Sequence, residues 1–194
     1  MTFKEIKDIL SSKTVGIAGA GGLGSNCAVS LARCGIGKLI ICDFDIVSED
    51  NLNRQYYFYN QIGNKKVDML KENIKRINPN VDIKTYNIKL ESKDINQIYG
   101  KCDVLVEAFD VKEAKLMLAE TVMDEMPEIP LVMGSGMAGW GNFNLIKQTK
   151  TDNLYICGDQ ITEIEDDIPP IAPRVGIVSN LQADTVLEIL LMNK

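Results

Sequence analysis

The chain has 194 residues, 45% of them hydrophobic and 25% charged, enough for one domain with a buried core and short for two. Its net charge of −6 disfavours a general nucleic-acid-binding face, because phosphate backbones reward clustered Lys and Arg. It has no histidine, which removes Ser-His-Asp and Cys-His hydrolases, imidazole general bases and His-containing zinc sites.

The five cysteines, Cys27, Cys34, Cys42, Cys102 and Cys157, are scattered, odd in number and without a C-x-x-C pair. That pattern fits reduced thiols in a cytoplasm, and neither a disulfide frame nor a zinc site is expected. Residues 1–10 alternate charged with apolar residues and lack the h-region of a signal peptide. No apolar stretch approaches the roughly 20 residues of a membrane span. The expectation is a cytoplasmic protein, free of membrane and nucleic acid, forming a single domain over residues 1–194.

Residues 14–18 are a short apolar run ending in glycines, which predicts a strand, and 23–34 have helical periodicity. Residues 38–42 form a second apolar run, bounded by Gly37 and Asp43. Val67, Leu70, Ile74 and Ile77 repeat at three-to-four spacing and predict a helix over 64–78, ended by Asn78-Pro79-Asn80. Residues 81–88 alternate like a strand with one covered face. Residues 102–108 and 129–133 read as buried strands, with a helix over 111–126 between them. Such alternation predicts an α/β, Rossmann-like fold: a mostly parallel sheet with helices on both faces. The pattern then changes. Residues 140–148 and 153–157 read as antiparallel strands added near the C-terminus, 162–173 as an acidic, proline-rich mobile loop, and 175–192 as a closing helix.

Gly19-Ala20-Gly21-Gly22-Leu23-Gly24 satisfies G-x-G-x-x-G directly after a predicted strand and at the start of a predicted helix. Glycines there let the backbone approach a phosphate, and the helix start offers free N–H groups and partial positive charge. Asp43 ends the next strand, near the spacing of a carboxylate on ribose hydroxyls. The bland alternative is a tight turn that needs small residues. A dinucleotide dehydrogenase needs little beyond this turn, so an NAD-linked oxidoreductase stays open at this point. An ATP user must also manage a triphosphate and a metal. Arg54, Lys66 and Asp110 suit that task, since residues just past the strand ends of a parallel sheet converge on one edge. Taken singly, Arg54 reads equally as a surface turn residue, Lys66 as a solvated helix position and Asp110 as a helix cap. Asp45 reads as a turn former and Trp140 as packing at the edge of the site.

The sequence resembles the ThiF/MoeB/ubiquitin-activating superfamily at Gly19-Ala20-Gly21-Gly22-Leu23-Gly24-Ser25, Asp43-Phe44-Asp45 and Asn51-Leu52-Asn53-Arg54-Gln55. The likeness continues at Gly63-Asn64-Lys65-Lys66, Arg76-Ile77-Asn78-Pro79, Glu107-Ala108-Phe109-Asp110, Ala172-Pro173-Arg174-Val175-Gly176-Ile177 and Leu181-Gln182-Ala183. Gly134-Ser135-Gly136-Met137-Ala138-Gly139 and Ile156-Cys157-Gly158-Asp159 look most like the short ThiF proteins of thiamine biosynthesis.

The resemblance implies an ATP-dependent adenylyltransferase that acts on a ThiS-like ubiquitin-fold sulfur carrier ending in Gly-Gly. A molybdopterin-type carrier is the alternative. It implies that Gly19, Gly21, Gly22, Gly24, Asn51 and Gln55 approach the nucleotide and that Asp43 holds its ribose. Arg54 and Lys66 would hold its phosphates and Asp110 would organise Mg²⁺. It also implies a homodimer. Three departures stand out: the family's paired C-x-x-C zinc knots are absent, no arginine precedes Arg33, and residues 159–173 hold no cysteine. Cys157 therefore reads as a buried structural thiol sooner than as a nucleophile.

Overall fold

The computed structural model describes residues 1–192. In chain order the elements are α1 (Phe3–Leu10), β1 (Thr14–Ala18), α2 (Gly22–Cys34), β2 (Lys38–Cys42), α3 (Lys66–Ile77), β3 (Asp82–Tyr86), α4 (Ser92–Tyr99), β4 (Val104–Glu107), α5 (Lys112–Glu125), β5 (Leu131–Gly134), β6 (Lys147–Thr151), β7 (Leu154–Gly158) and α6 (Ala172–Met192).

The strands form one seven-stranded sheet in the order β3-β2-β1-β4-β5-β7-β6. All neighbours pair in parallel except β6 with β7. The strands that pair on both sides, such as Thr-Val-Gly-Ile-Ala of β1 and Val-Leu-Val-Glu of β4, are near-continuous apolar runs because both faces of the sheet are covered. Val15, Ile17, Leu39, Ile41, Val104 and Val106 point into one core with residues of α2, α3 and α6. Ile40, Cys42 and Leu105 point into the other with residues of α4 and α5. Helices on both faces of a mostly parallel sheet, with antiparallel β6–β7 at one edge, match the fold expected from the sequence.

Two helices went unread in the sequence. The first, α1, is fixed by a capping box: Glu5 N–H donates to Thr2 Oγ1 (3.3 Å) and Glu5 Oε2 accepts from Thr2 N (2.6 Å). The second, α4, is capped by Glu91, whose N–H donates to Asp94 Oδ2 (3.0 Å). The strand expected over 140–148 is displaced. Gly139, Gly141 and Asn142 adopt left-handed backbone angles, residues 143–145 form a 3₁₀ turn, and the strand begins only at Lys147. Residues 162–171 run without helix or extended strand, while Ala172 and Pro173 join α6, as suits a proline in a first helical turn.

At 21 residues, α6 is as long and apolar as a membrane-spanning helix, contrary to the reading that no stretch approached that length. Val175, Val178, Val186, Ile189 and Leu190 are nevertheless buried in the core with α2 and the sheet, which makes α6 a core helix.

Candidate active site

The carboxyl ends of β1, β2 and β4 open onto a cleft of about 410 Å³. Its floor is the turn between β1 and α2. Gly19 has φ +103°, and a Cβ there would lie 2.7 Å from the Ala108 carbonyl oxygen. A Cβ at Gly24 would sit 1.9 Å from the Gly19 oxygen. Only glycine therefore lets the first turn of α2 pack against the end of β1. Gly21 caps α2 without a side-chain hydrogen bond, which leaves the helix start with free amides facing the cleft.

Asp43, one residue past β2, is tied to this turn. Its Oδ2 accepts from Ala20 N (2.6 Å) and its Oδ1 from Asp45 N (2.7 Å). Burial raises its carboxyl above the usual value, against the pull of these two amides and of Lys66. Lys66 opens α3, is 5% exposed, and donates from Nζ to Asp45 Oδ2 at 2.8 Å. A lysine so deeply buried needs a partner, and Asp45 is that partner.

Arg54 and Gln55 arrive on the loop after β2. Asn26 Nδ2 holds the loop to α2 by donating to both the Gly22 (2.7 Å) and Arg54 (2.9 Å) carbonyls. Arg54 donates to the Asp50 carbonyl (3.1 Å) and to Asn53 Oδ1 (2.8 Å), and no carboxylate pairs with it among the described residues. Gln55 is buried, with its Oε1 left without a partner among the described residues.

The opposite wall is the β4–α5 loop. Glu107, fully buried, accepts from Phe109 N (2.6 Å) and pairs with Lys115, which also donates to the Gly134 carbonyl (2.9 Å). That network fixes the loop that presents Asp110 to the cleft. Asp110 is exposed, and α5 is capped by Val111 with no side-chain hydrogen bond, so Asp110 does not cap it.

The structure thus brings Gly19, Gly21, Gly22, Asp43, Arg54, Gln55, Lys66 and Asp110 to one cleft. Gly24 and Asn51 lie beside it and do not line it. Gly24 serves helix packing, and Asn51 Oδ1 accepts from Ser48 N (3.1 Å) to shape the loop that carries Arg54. Trp140 lines a separate cavity. Among the lining residues that sequence reasoning missed are Asp45, Lys89 and Ile164. The pairing of Asp45 with Lys66 spans 21 positions, and no local pattern signals it. Cys157 is fully buried beside Thr185 Oγ1 (3.4 Å), and burial pushes its thiol up to about 11.

A doubly wound sheet with a cleft at its carboxyl edge places the chain among Rossmann-like α/β proteins. The model of the ThiF family matches residues 2–194, and the chain belongs to that family. It is 35% identical over 180 residues to ubiquitin-like modifier-activating enzyme 5 of Caenorhabditis elegans, a match covering 87% of this chain and 40% of that protein. It is 27% identical over 191 residues to the molybdopterin-synthase adenylyltransferase of Escherichia coli (strain K12), covering 95% and 75%. The chain spans less than half the length of the modifier-activating enzymes it matches. The crystal structure of E. coli tRNA N6-threonylcarbamoyladenosine dehydratase in complex with ATP superposes with a TM-score of 0.88 at 19% identity, covering 97% of this chain and 90% of that one.

Proposed function

We propose that the protein uses ATP to adenylate the C-terminal Gly-Gly carboxylate of a ubiquitin-fold sulfur carrier, releasing pyrophosphate. The observation that carries this reading is the convergence of Lys66, Arg54 and the uncapped start of α2 on one cleft. Family membership and relatives named as adenylyltransferases support it.

The chemistry suits a chain without histidine. A C-terminal carboxylate has a pKa of roughly 3.3–3.7, so at neutral pH it is already an ionised nucleophile and needs no general base. One of its oxygens bonds to the α-phosphorus, and the bond to the bridging oxygen breaks. Pyrophosphate leaves with that electron pair. The barrier lies in bringing two anions together in line, which fixed positive charge and positioning lower. Lys66, Arg54 and the amides of Gly21 and Gly22 supply that charge here. Asp43 is positioned to accept from ribose hydroxyls, and the orphaned Gln55 Oε1 offers a buried acceptor to a nucleotide donor.

Mg²⁺ fits the residues present. It is commonly held by one or two carboxylates together with substrate phosphates, and Asp110 offers an exposed carboxylate at the cleft with no partner among the described residues. When bound, the ion neutralises phosphate charge.

Within this reading the carrier is ThiS-like and the pathway is thiamine thiazole formation, on the strength of the short-form likeness at residues 134–139 and 156–159. The whole chain works as one ATP-binding domain, as a homodimer in the cytoplasm. The deciding experiment is isotope exchange between pyrophosphate and ATP with a ThiS-like carrier, a molybdopterin-type carrier and no carrier. Exchange with the first alone supports the full reading, and exchange with the second reassigns the pathway. Carrier-independent reduction of NAD with no exchange would replace the reading by an oxidoreductase.

A further inference from the structure

Arg174 and Asp159 form an ion pair in which both side chains are buried, outside the cleft described above. Asp159 directly follows β7, and Arg174 sits in the first turn of α6, fifteen positions later. The Asp159 carboxylate also accepts from Ile161 N (2.9 Å), Thr162 N (2.8 Å) and the Thr162 hydroxyl. The other arm of the guanidinium donates to the Gly141 carbonyl. One guanidinium therefore ties together the two ends of the stretch between β7 and α6 and the turn before β6. Gly139 N adds a bond to the Pro169 carbonyl (3.0 Å).

The stretch so closed is a compact surface loop with adjacent ends. It contributes Ile164 and Pro170 to the cleft, and Thr162 and Ile168 to a second cavity of about 290 Å³ lined by Asp159 and Arg174 themselves. It is the wall shared by the two spaces. The Arg174 Nε is buried without a partner among the described residues, which leaves a donor beside the second cavity for a carbonyl of an extended chain.

We infer that the Arg174–Asp159 pair is a clasp that holds residues 160–173 between the two cavities, and so sets the path by which the tail of the acyl substrate reaches the nucleotide cleft. The inference rests on the adenylation reading for the identity of that tail. Two buried charges persist because each compensates the other, and removing either leaves its partner stranded. The closed loop then gains the freedom of an open one. The pair itself does not line the nucleotide cleft, to which the loop gives only Ile164 and Pro170, so its loss falls far more on the tail than on ATP. Arg174 is a positioning residue.

Arg174→Met, Asp159→Asn and the milder Arg174→Lys test this, with two readouts. Digestion of the folded proteins by a glutamyl endopeptidase reads the wall directly through cleavage after Glu163 and Glu165. Arg174→Met and Asp159→Asn should be cut at least about tenfold faster than the wild type, with Arg174→Lys in between. Carrier-dependent exchange should show the KM for a Gly-Gly-ended carrier raised about tenfold, while calorimetry shows ATP affinity within about twofold of the wild type. If Arg174→Met does not fold, Arg174→Lys carries both comparisons. Equal cleavage rates, an unchanged carrier KM, or carrier and ATP affinities falling together would each overturn the clasp as described. A wild type without carrier-dependent exchange would sink the adenylation reading and the tail path with it, while the cleavage ratio would still decide whether the pair holds the wall.

Discussion

Lys66 Nζ lies 2.8 Å from Asp45 Oδ2, and the lysine is buried while the aspartate is about half exposed. The strongest buried cation of the cleft is therefore engaged by a side chain that water also reaches. A nucleotide phosphate arriving there shares or displaces Asp45. Replacing Asp45 by Asn strands the ammonium in the free protein and leaves it fully available to phosphate. Asp45→Asn should lower the Tm of the free protein by roughly 3–9 °C, since an uncompensated buried group costs about 1–3 kcal/mol and each kcal/mol moves Tm about 3 °C at this size. Saturating ATP should then raise Tm by more in the variant than in the wild type. A smaller ATP-induced rise in thermal scanning would show that Asp45 assists the phosphates instead of standing in for them.

Gly21 and Gly24 share one motif and divide its work. An added methyl at Gly24 meets the Gly19 oxygen at 1.9 Å, whereas at Gly21 the nearest atom is Gln55 Nε2 at 3.8 Å. Gly24→Ala should destabilise the protein by about 1–3 kcal/mol through overpacking. Gly21→Ala should melt like the wild type yet bind ATP at least about tenfold more weakly, because the methyl projects where phosphates approach. Urea melts and ATP titrations on both variants check this. Equal melting midpoints would remove the packing role from Gly24.

What the sequence disclosed and what it hid follow from range. The strands of β1, β2, β4 and β5 were legible because parallel strands buried on both faces read as short apolar runs. The glycine turn, Asp43, Arg54, Lys66 and Asp110 were legible as a group because strand ends in a parallel sheet share an edge, whereas Gln55 was legible only through the family resemblance. Helix α1 escaped because its charge alternation masked the helical face, although Thr2-x-x-Glu5 carried the capping signal. The strand near Trp140 was misplaced because three left-handed residues, Gly139, Gly141 and Asn142, break the chain direction where side-chain pattern alone suggested continuity. The partners Asp45–Lys66, Glu107–Lys115 and Asp159–Arg174 are 21, 8 and 15 positions apart. Spacing alone could not place them in contact.

Asp110 has no hydrogen bond or ion pair among the described residues and caps no helix. Its removal should leave folding unaffected. In exchange assays Asp110→Ala should lose activity by more than about 100-fold, the scale of losing one preorganised electrostatic contact, while part of the ATP affinity survives. Full turnover by the variant across a magnesium titration would show that the ion is held elsewhere.

Glu107 gives a pH signature. Burial raises its carboxyl above the usual 4.5, against the opposing pull of Lys115 and the Phe109 amide. A native state that holds its proton more tightly than the unfolded chain loses stability as pH rises between the two values. The contribution of Glu107 is thus complete below 4.5 and shrinks as pH climbs through the raised native value. Glu107→Gln removes this titration. The unfolding free energy of the wild type minus that of the variant should therefore fall with pH over about pH 4 to 7. A difference that stays level or climbs would mean that Lys115 outweighs burial.

Cys157 decides whether a covalent link to the carrier belongs in the mechanism. A nucleophilic cysteine must reach its thiolate form and meet its substrate. Cys157 is fully buried on β7, its sulfur lies 3.4 Å from Thr185 Oγ1 of α6, and burial pushes its thiol up to about 11. Cys34, at the end of α2, is the cysteine that remains partly exposed. Brief alkylation of the native protein should therefore label Cys34 and spare Cys157 by mass spectrometry. Cys157→Ser keeps a small polar group opposite Thr185 and should retain carrier adenylation within about twofold. A correctly folded Cys157→Ser protein that lost most of its activity, or labelling of Cys157 ahead of Cys34, would return this thiol to the reaction.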